Sequence, residues 1–422
     1  MEGPAAPSGA APKRAECGGS GRSAFRGLSL GLTARCNLSC AYCYQRRASR
    51  DMDPRTASLA LGMLEERGTP PFRLELTGGE PLLSRELALA CAERFRTFAG
   101  SESECVLATN GLFLDGTLLD RLVEFEVTLA LSFDGVSGAQ DLRAPGSGEL
   151  LVSILGSIRK NHPAYFRRRV RISAVLVPET VPHLAESCRR LMDTGVSEIR
   201  FQTAAGADRR WSPGDEPLLF RQVEEAAWDA ARRYEEAGSI PLEFLRPQGD
   251  GAGLRERVEP SCNTLSGESL FVDPWGVAWT CPLFATSLVR DPAMFQRFEP
   301  AVRLGPADSP AVWDRLVDAR SAALTSSVLA PRTWDGASAG SCGSCPATPH
   351  CRSCPATRFL YANGREGSGP PPFHCAFERA AAEGQRRFEA LAGPIPPRRF
   401  AVAVAVGRRW FDGSSGGTRE GD

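Results

Sequence analysis

Three cysteines stand in one short segment, Leu32-Thr33-Ala34-Arg35-Cys36-Asn37-Leu38-Ser39-Cys40-Ala41-Tyr42-Cys43-Tyr44, with the spacing C-x3-C-x2-C. Thiolates are the ligands that iron–sulfur clusters use. A [4Fe–4S] cube has four iron corners, so three cysteines leave one iron without a protein ligand. An open metal position takes up a substrate or cofactor, as it does on a catalytic zinc. A structural zinc site is the plainer alternative. It wants four ligands, and no further Cys or His stands close enough in sequence to be the fourth.

A second cysteine set lies in the C-terminal half. Cys262 is followed by Gly276 and Cys281, giving C-x13-G-x4-C. Cys342, Cys345, Cys351 and Cys354 follow as C-x2-C-x5-C-x2-C, and Cys375 comes after a further gap. Taken alone, this set also fits two zinc-ribbon knuckles. Cys17, Cys91, Cys105 and Cys188 match no motif. Cys91 and Cys188 fall in helical stretches and Cys105 in a strand, where buried small apolar residues are expected. His350 and His374 each precede a cysteine of the second set and are placed to hydrogen-bond near it.

The elements that must position these groups alternate. Apolar alternation predicts strands at residues 28–32, 72–77, 104–109, 127–133, 170–177 and 197–202. Helical spacing predicts helices at 54–67, 84–99, 114–124, 150–161, 183–194 and 221–237. Strand–helix repetition implies parallel strands with helical crossovers. About six units fit, fewer than the eight of a closed (β/α)8 barrel. After about Gly206 the chain turns Pro- and Gly-rich with little clean periodicity. Turn residues close several strands: Gly78-Gly79-Glu80-Pro81, Thr109-Asn110-Gly111 and Ser132-Phe133-Asp134-Gly135. These fall at C-terminal strand ends, where barrels of this kind carry their functional loops.

Composition narrows the class. The 422 residues can hold two or three domains. Acidic and basic residues balance at 50 each, so no net field points to nucleic acid or to a lipid surface. The 14 cysteines cluster at short spacings in a long chain without an apolar signal core, which opposes a secreted disulfide scaffold and favours a reducing cytoplasm. No apolar run is long enough for a membrane span; Phe400 to Val406 is far too short. Residues 1–27 read as a flexible Gly/Ala/Ser/Pro tail, and the stretch from Ile395 as an edge strand followed by a Gly/Ser tail.

The first cysteine loop resembles the signature of the radical SAM enzymes, and the second set resembles their SPASM extension. The resemblance runs from about Leu28 to Arg386. It implies an α/β fold: a partial (β/α)6 radical SAM barrel at 28–235, a loop-rich, cysteine-clustered SPASM domain at 236–394, and a C-terminal extension at 395–422. It implies that Cys36, Cys40 and Cys43 hold a [4Fe–4S] cluster whose open iron chelates S-adenosylmethionine (SAM). Tyr42 then lies near the adenine, and Gly78, Gly79 and Glu80 meet the methionine amino group. Asn110 ends the next strand, Ser132 and Asp134 are candidates for the ribose hydroxyls, and Arg143 faces the SAM carboxylate. In the SPASM pattern, two auxiliary [4Fe–4S] clusters divide the remaining cysteines. Cys342, Cys345, Cys351 and Cys375 take the outer one, and Cys262, Cys281 and Cys354 the inner one. The spacing before Cys354 is x2 where the family has x3, and no thiol precedes Cys262, so the inner cluster is expected to have an open or non-cysteine position.

The implied chemistry is reductive cleavage of SAM to a 5′-deoxyadenosyl radical that takes a hydrogen atom from a peptide or protein substrate. The expected partners are an electron donor such as flavodoxin or ferredoxin and, given the short N-terminal tail, a separate leader-peptide recognition protein. No nucleic acid or membrane is expected. The favoured function is cross-linking in a ribosomally synthesised peptide. Formylglycine formation in a sulfatase is the alternative. Against it, those enzymes commonly carry an Asp after the second SPASM cysteine, where this chain has Pro282, and an aromatic pair after the cluster loop, where Tyr44 is followed by Gln45. A zinc-scaffold or electron-carrier protein is the alternative from another class.

Overall fold

The computed structural model describes residues 25–206, 210–246, 267–294, 296, 299–312, 314–316, 345, 347 and 372–393. Residues 1–24 of the expected tail at 1–27, Cys17, Cys262, Cys342, Cys351, Cys354, His350 and the extension at 395–422 lie outside them; the end of that tail is not a tail, since Phe25 is buried in the core and Gly27 begins the first strand.

Six strands run in chain order: β1 (Gly27–Thr33), β2 (Arg73–Gly78), β3 (Glu104–Thr109), β4 (Thr128–Ser132), β5 (Val170–Leu176) and β6 (Ile199–Thr203). Each pairs in parallel with the next. The crossovers carry α1 (Pro54–Arg67), α2 (Arg85–Phe98), α3 (Gly116–Glu124), α4 (Ser137–Gln140), α5 (Gly148–Asn161), α6 (Pro163–Arg169) and α7 (Leu184–Asp193). This is a partial (β/α)6 barrel. Local chemistry sets the helix starts. Asp53 caps α1 by accepting from the Arg55 amide, with Pro54 at the first position. Asp115 caps α3 by accepting from the Leu118 amide.

Strand alternation separates two faces. Leu28, Leu30, Leu74, Leu76, Leu107, Leu129 and Ile172 are buried in one apolar cluster with Leu61, Phe95, Leu122, Leu155 and Leu191 of the surrounding helices. Cys91, Cys105 and Cys188 belong to this core, as expected of motif-free cysteines. The residues between point to the inner face, and Ser29, Glu75, Ala108, Ala130, Ser132 and Ser173 keep partial exposure there.

Three features depart from the sequence reading. The sheet does not stop at the sixth strand. β7 (Ser269–Val272) adds in parallel beside β1, and β8 (Val277–Trp279) and β9 (Arg303–Pro306) continue antiparallel, completing a nine-stranded sheet. The C-terminal half thus covers the edge that β1 would otherwise expose. Second, a long helix occupies a stretch read as lacking periodicity. With α8 (Glu216–Ala237) and the short α9 (Glu299–Val302) before it, α10 (Pro372–Ala392) packs along α8. Its buried Phe373, Phe377, Ala380, Gly384 and Phe388 recur at helical spacing. Phe373 stacks on Trp211 at 4.9 Å and Phe388 meets Tyr234 at 5.7 Å. Helix α6 was also not anticipated; it follows α5 almost without a break.

Candidate active site

The first cysteine loop leaves the C-terminal end of β1. Its stem is closed by backbone hydrogen bonds, from the Ala34 amide to the Arg50 carbonyl at 2.8 Å and from the Met52 amide to the Leu32 carbonyl at 2.8 Å. Cys36, Cys40 and Cys43 are free thiols with partial exposure. Burial pushes the Cys36 and Cys40 thiols up; Glu80 and Cys43 raise Cys36 further, and Cys43 and Cys36 raise Cys40 further. The Arg143 guanidinium works the other way on Cys40, and the Leu38 amide donates to Cys36 Sγ at 3.4 Å. Among the described residues no three such groups converge on a single metal ion. Three thiols gathered on one loop suit the separate corners of an iron–sulfur cube, with positive and amide hydrogens facing the sulfurs.

Gly78, Gly79 and Glu80 lock this loop to β2. A Cβ on Gly79 would lie 2.1 Å from the Arg35 carbonyl oxygen and 3.1 Å from Cys36 Cβ, so no larger residue fits. Gly78 has φ +134°, open to glycine alone. The Gly79 amide donates to Thr33 O and the Glu80 amide to Arg35 O, both at 2.8 Å. The Glu80 carboxylate is buried and already engaged. It accepts from Thr109 Oγ1 at 2.6 Å, the Asn110 amide at 2.8 Å and the Leu82 amide at 3.0 Å. It ties the ends of β2 and β3 together. Burial raises its pKa against those hydrogen bonds.

Asp134 and Arg143 are bound to each other. Asp134 is buried and accepts from Arg143 Nε at 3.0 Å, Arg143 Nη2 at 2.8 Å and the Val175 amide at 2.7 Å, and from the Tyr42 hydroxyl. This set fills its acceptor positions, leaving none for a ribose hydroxyl. The guanidinium lies 5.5 Å from the Tyr42 ring centroid, and the Ala41 amide donates to Leu142 O at 2.8 Å. Burial pushes the Tyr42 hydroxyl pKa well up, so it stays a donor. Burial works against the Arg143 charge, but Asp134 and Tyr42 outweigh it. Nη1 of Arg143 makes no hydrogen bond to a described residue and is the atom left for an anionic ligand.

Asn110 Nδ2 donates to Asn37 Oδ1 at 2.8 Å, which brings the cluster loop against the end of β3. Asn37 was not singled out in the sequence; its place between two of the cysteines was the available signal. Ser132 faces inward opposite Ser173 on β5, without a side-chain partner.

The C-terminal half meets the loop directly. Gln45 bridges to Val289, the Arg290 amide donates to Tyr44 O at 3.0 Å, and the Arg46 amide donates to Leu288 O at 2.5 Å. Tyr44 packs on the second apolar cluster, formed by Phe271, Trp279, Cys281, Phe284 and Val289 among others. Burial first, then the nearby Cys281, Cys43 and Glu75, raise the Tyr44 hydroxyl pKa. So Cys281 approaches the first cysteine loop. Cys345 is partly exposed, and Cys375 begins α10 beside His374. His374 Nδ1 shares a 3.1 Å hydrogen bond with Thr203 Oγ1, and burial pushes its pKa down to about 4.

Residues 30–191 match the family described as the radical SAM superfamily. The chain is similar to the uncharacterized protein MJ0907 of Methanocaldococcus jannaschii, 25% identical over 260 residues, covering 60% of this chain and 84% of that protein. It is similar to GTP 3′,8-cyclase of Corynebacterium glutamicum, 30% identical over 240 residues, covering 51% of this chain and 60% of that enzyme. Over 352 residues it is 23% identical to the mycofactocin maturase MftC of Mycobacterium ulcerans, covering 82% of this chain and 86% of that protein. Among solved structures, native anSMEcpe with bound AdoMet and Cp18Cys peptide superposes with a TM-score of 0.60 at 16% identity, covering 90% of this chain and 99% of that one. That likeness is one of fold. The barrel of this chain is a radical SAM domain, a type of domain that uses SAM and a [4Fe–4S] cluster. Among the described residues no helix is long and apolar enough to cross a membrane.

Proposed function

We propose that this chain is a radical SAM peptide maturase that takes a hydrogen atom from a ribosomally synthesised peptide and installs a cross-link in it. The single observation that carries the reading is the docking of the Cys281 region on the first cysteine loop through Tyr44, Gln45 and Arg46. The similarity to a mycofactocin maturase over most of both chains supports it. In this reading the barrel runs from Phe25 to about residue 235 and 236–394 form a SPASM domain holding two auxiliary clusters, with residues 395–422 outside both. A flavodoxin or ferredoxin supplies electrons in a cytoplasmic setting, and a separate protein recognises the leader peptide.

When bound, the reduced cluster supplies the electron that cleaves SAM to methionine and the 5′-deoxyadenosyl radical. Cys36, Cys40 and Cys43 hold that cluster, and the Gly78–Glu80 segment fixes their loop against β2. Arg143 offers Nη1 to the SAM carboxylate while Asp134 holds its other nitrogens. Tyr42 shields one wall of the site, and the partly exposed inner face of the sheet receives the substrate carbon. Cys281, Cys345 and Cys375 belong with the auxiliary cluster ligands.

Anaerobic reconstitution followed by reduction with dithionite tests this. The expected result is a brown protein that holds iron and sulfide and forms 5′-deoxyadenosine from SAM. With the peptide encoded by a short neighbouring reading frame, the product loses a hydrogen pair by mass spectrometry. Formylglycine on a sulfatase peptide instead would transfer the chain to the alternative function. A colourless, zinc-loaded protein would end the enzyme reading.

A further inference from the structure

On the inner face of the barrel the Glu75 carboxylate meets no cation among the described residues. On β2 the fully buried Leu74 and Leu76 point to the helices, so Glu75 between them points inward. It pairs across the strands with Ser29, whose hydroxyl donates to Glu75 Oε2 at 3.0 Å. No cation reaches it among the described residues, and Oε1 accepts no hydrogen bond from them. Among the described residues three other buried carboxylates of the barrel are matched by arginine, while Glu80 and Asp273 are filled by several neutral donors each. Glu104 takes Arg73 and Arg171, Glu198 takes Arg171, Arg200 and Arg246, and Asp134 takes Arg143. Arg73, two residues along the same face, is turned to Glu104 rather than to Glu75.

The surroundings leave room for an incoming group. Ser29 and the buried Val106 flank Glu75, and one step above it the inner face presents Thr77, Ala108 and Ala130, all partly exposed and all small. Glu75 is also near enough to Tyr44 to oppose its ionisation, as Cys43 and Cys281 are. The carboxylate thus lies toward the side of the barrel where the cysteine loop and the C-terminal half meet. A partly buried carboxylate with a single neutral hydrogen bond has lost part of its hydration without a compensating charge. A cationic ligand restores that compensation, and its complementarity selects among substrates.

We propose that Glu75 is the substrate-anchoring residue of the barrel and receives a cationic side chain, lysine or arginine, of the peptide to be modified. This rests on the peptide-maturase reading and adds the chemical class of the residue that enters. Glu75 contacts substrate here; the hydrogen atom is taken from a carbon of the same or a neighbouring residue.

The test is a binding ratio measured on the reconstituted full-length enzyme with SAM bound. The probes are two capped tripeptides, Ala-Lys-Ala and Ala-norleucine-Ala, alike in length and apolar stem and differing in charge. Saturation-transfer NMR titrations give the affinity ratio within each variant, independent of how much SAM each variant cleaves. The wild type is expected to prefer the lysine peptide by on the order of tenfold or more. E75Q keeps the shape and an acceptor for Ser29 but loses the charge, so the preference disappears; E75D keeps the charge and retains a reduced preference. Equal affinities in the wild type, or a preference that survives in E75Q, would overturn the proposal. 5′-Deoxyadenosine formation is read separately. Its absence from the wild type would sink the enzyme reading, whereas its presence with no lysine preference sinks only the role of Glu75.

Discussion

Buried carboxylate–arginine pairs occur at both ends of the barrel, and they do different work. At the N-terminal end Glu104 joins Arg73, Arg171 and Thr128, and Glu198 joins Arg171, Arg200 and Arg246. These bonds run from strand to strand and close the floor. At the opposite end Asp134 joins Arg143 and Tyr42. Here the arginine comes from the turn between α4 and α5, and the Tyr42 hydroxyl joins the pair to the loop that carries thiols. The side chains are of the same chemistry and the carboxylates are similarly buried, although Arg73 and Arg200 of the floor are more exposed than Arg143. A pair between strands is backed by the ladder hydrogen bonds of its neighbours, whereas a pair to a loop is among the few bonds the loop has. Loss of the first should appear as lost global stability, and loss of the second as lost function at a loop that stays attached.

The largest expected effect is at the loop itself. Replacing Cys36, Cys40 and Cys43 together with alanine should abolish 5′-deoxyadenosine formation. The other cysteines are separate in sequence, so iron analysis of this variant should still find about eight irons if two auxiliary cubes form and about four if one does. Normal SAM cleavage by the triple variant would remove the basis of the site. Next is Gly79→Ala, whose added methyl must displace the Arg35 carbonyl 2.1 Å away. The expected outcome is loss of most of the SAM-site iron after reconstitution and desalting, with the far-UV spectrum of the barrel retained. Retention of full iron would show that the loop tolerates displacement.

The comparison is broken or sharpened most directly by E104Q beside D134N. Removing the charge from one member of a buried, hydrogen-bonded pair typically costs ~3–5 kcal/mol. E104Q should lower the urea unfolding midpoint strongly and leave the ratio of SAM affinity to iron content near wild type. D134N should lower the midpoint less and weaken both iron retention and SAM binding. The pH dependence adds a sign. Burial tends to raise the Glu104 carboxyl, but Arg73 and Arg171, with the Thr128 hydroxyl, hold it below its ordinary 4.5. Its folded-state pKa is depressed, so its contribution is complete above about pH 4.5 and is lost as pH falls through the lowered value. Wild type should lose stability below pH 4.5 more steeply than E104Q. The opposite slope, or a D134N variant destabilised as much as E104Q, would erase the distinction between floor and loop.

Much of this was legible in the residues. The alternation Leu28/Leu30/Leu32 and Leu74/Leu76 marked strands because one face of each is buried against helices, and the cysteine spacing marked the loop because the ligands are local. Roles that depend on partners distant in sequence were not legible. Glu80 looked like a cofactor contact, yet Thr109 and Asn110, some thirty positions away, consume its carboxylate. Asp134 looked free for a hydroxyl, yet Arg143, Val175 and Tyr42 fill it. A turn motif states where a side chain emerges and not what the next strand brings to it. The periodicity of α10 was present in Phe373, Phe377 and Phe388, but the glycines and prolines before it masked its start. The pairing of β7 with β1 carried no local signal, since register between strands more than two hundred residues apart is set by the edge left open.

The smallest expected effect concerns a second ion pair on the same loop. Arg35 clasps Asp51 across the stem, Nε to Oδ1 at 2.8 Å and Nη2 to Oδ2 at 2.7 Å, with side chains 38% and 46% exposed. The geometry is bidentate, as it is at Asp134, but solvent screens it. Exposed pairs contribute about 0–1 kcal/mol, and D51N should fall in that range. Burial is the largest single influence on the Asp51 carboxyl and acts to raise it, but the hydrogen bonds from Arg35 and Thr33 and the Arg35 charge together outweigh it, so its pKa lies below the ordinary 3.8. The contribution is therefore present above about pH 3.8 and fades below it, and added salt should weaken it at neutral pH. Arg35 keeps a second anchor in D51N, since Nη2 also donates to Leu83 O at 2.9 Å and the Arg35 carbonyl still accepts from the Glu80 amide. Iron retention and SAM affinity in D51N should thus match wild type, measured beside D134N under one protocol. If D51N lost as much iron as D134N, burial would not be what separates a structural clasp from a functional one, and the loop's hold on its thiols would have to be traced to its stem rather than to Asp134.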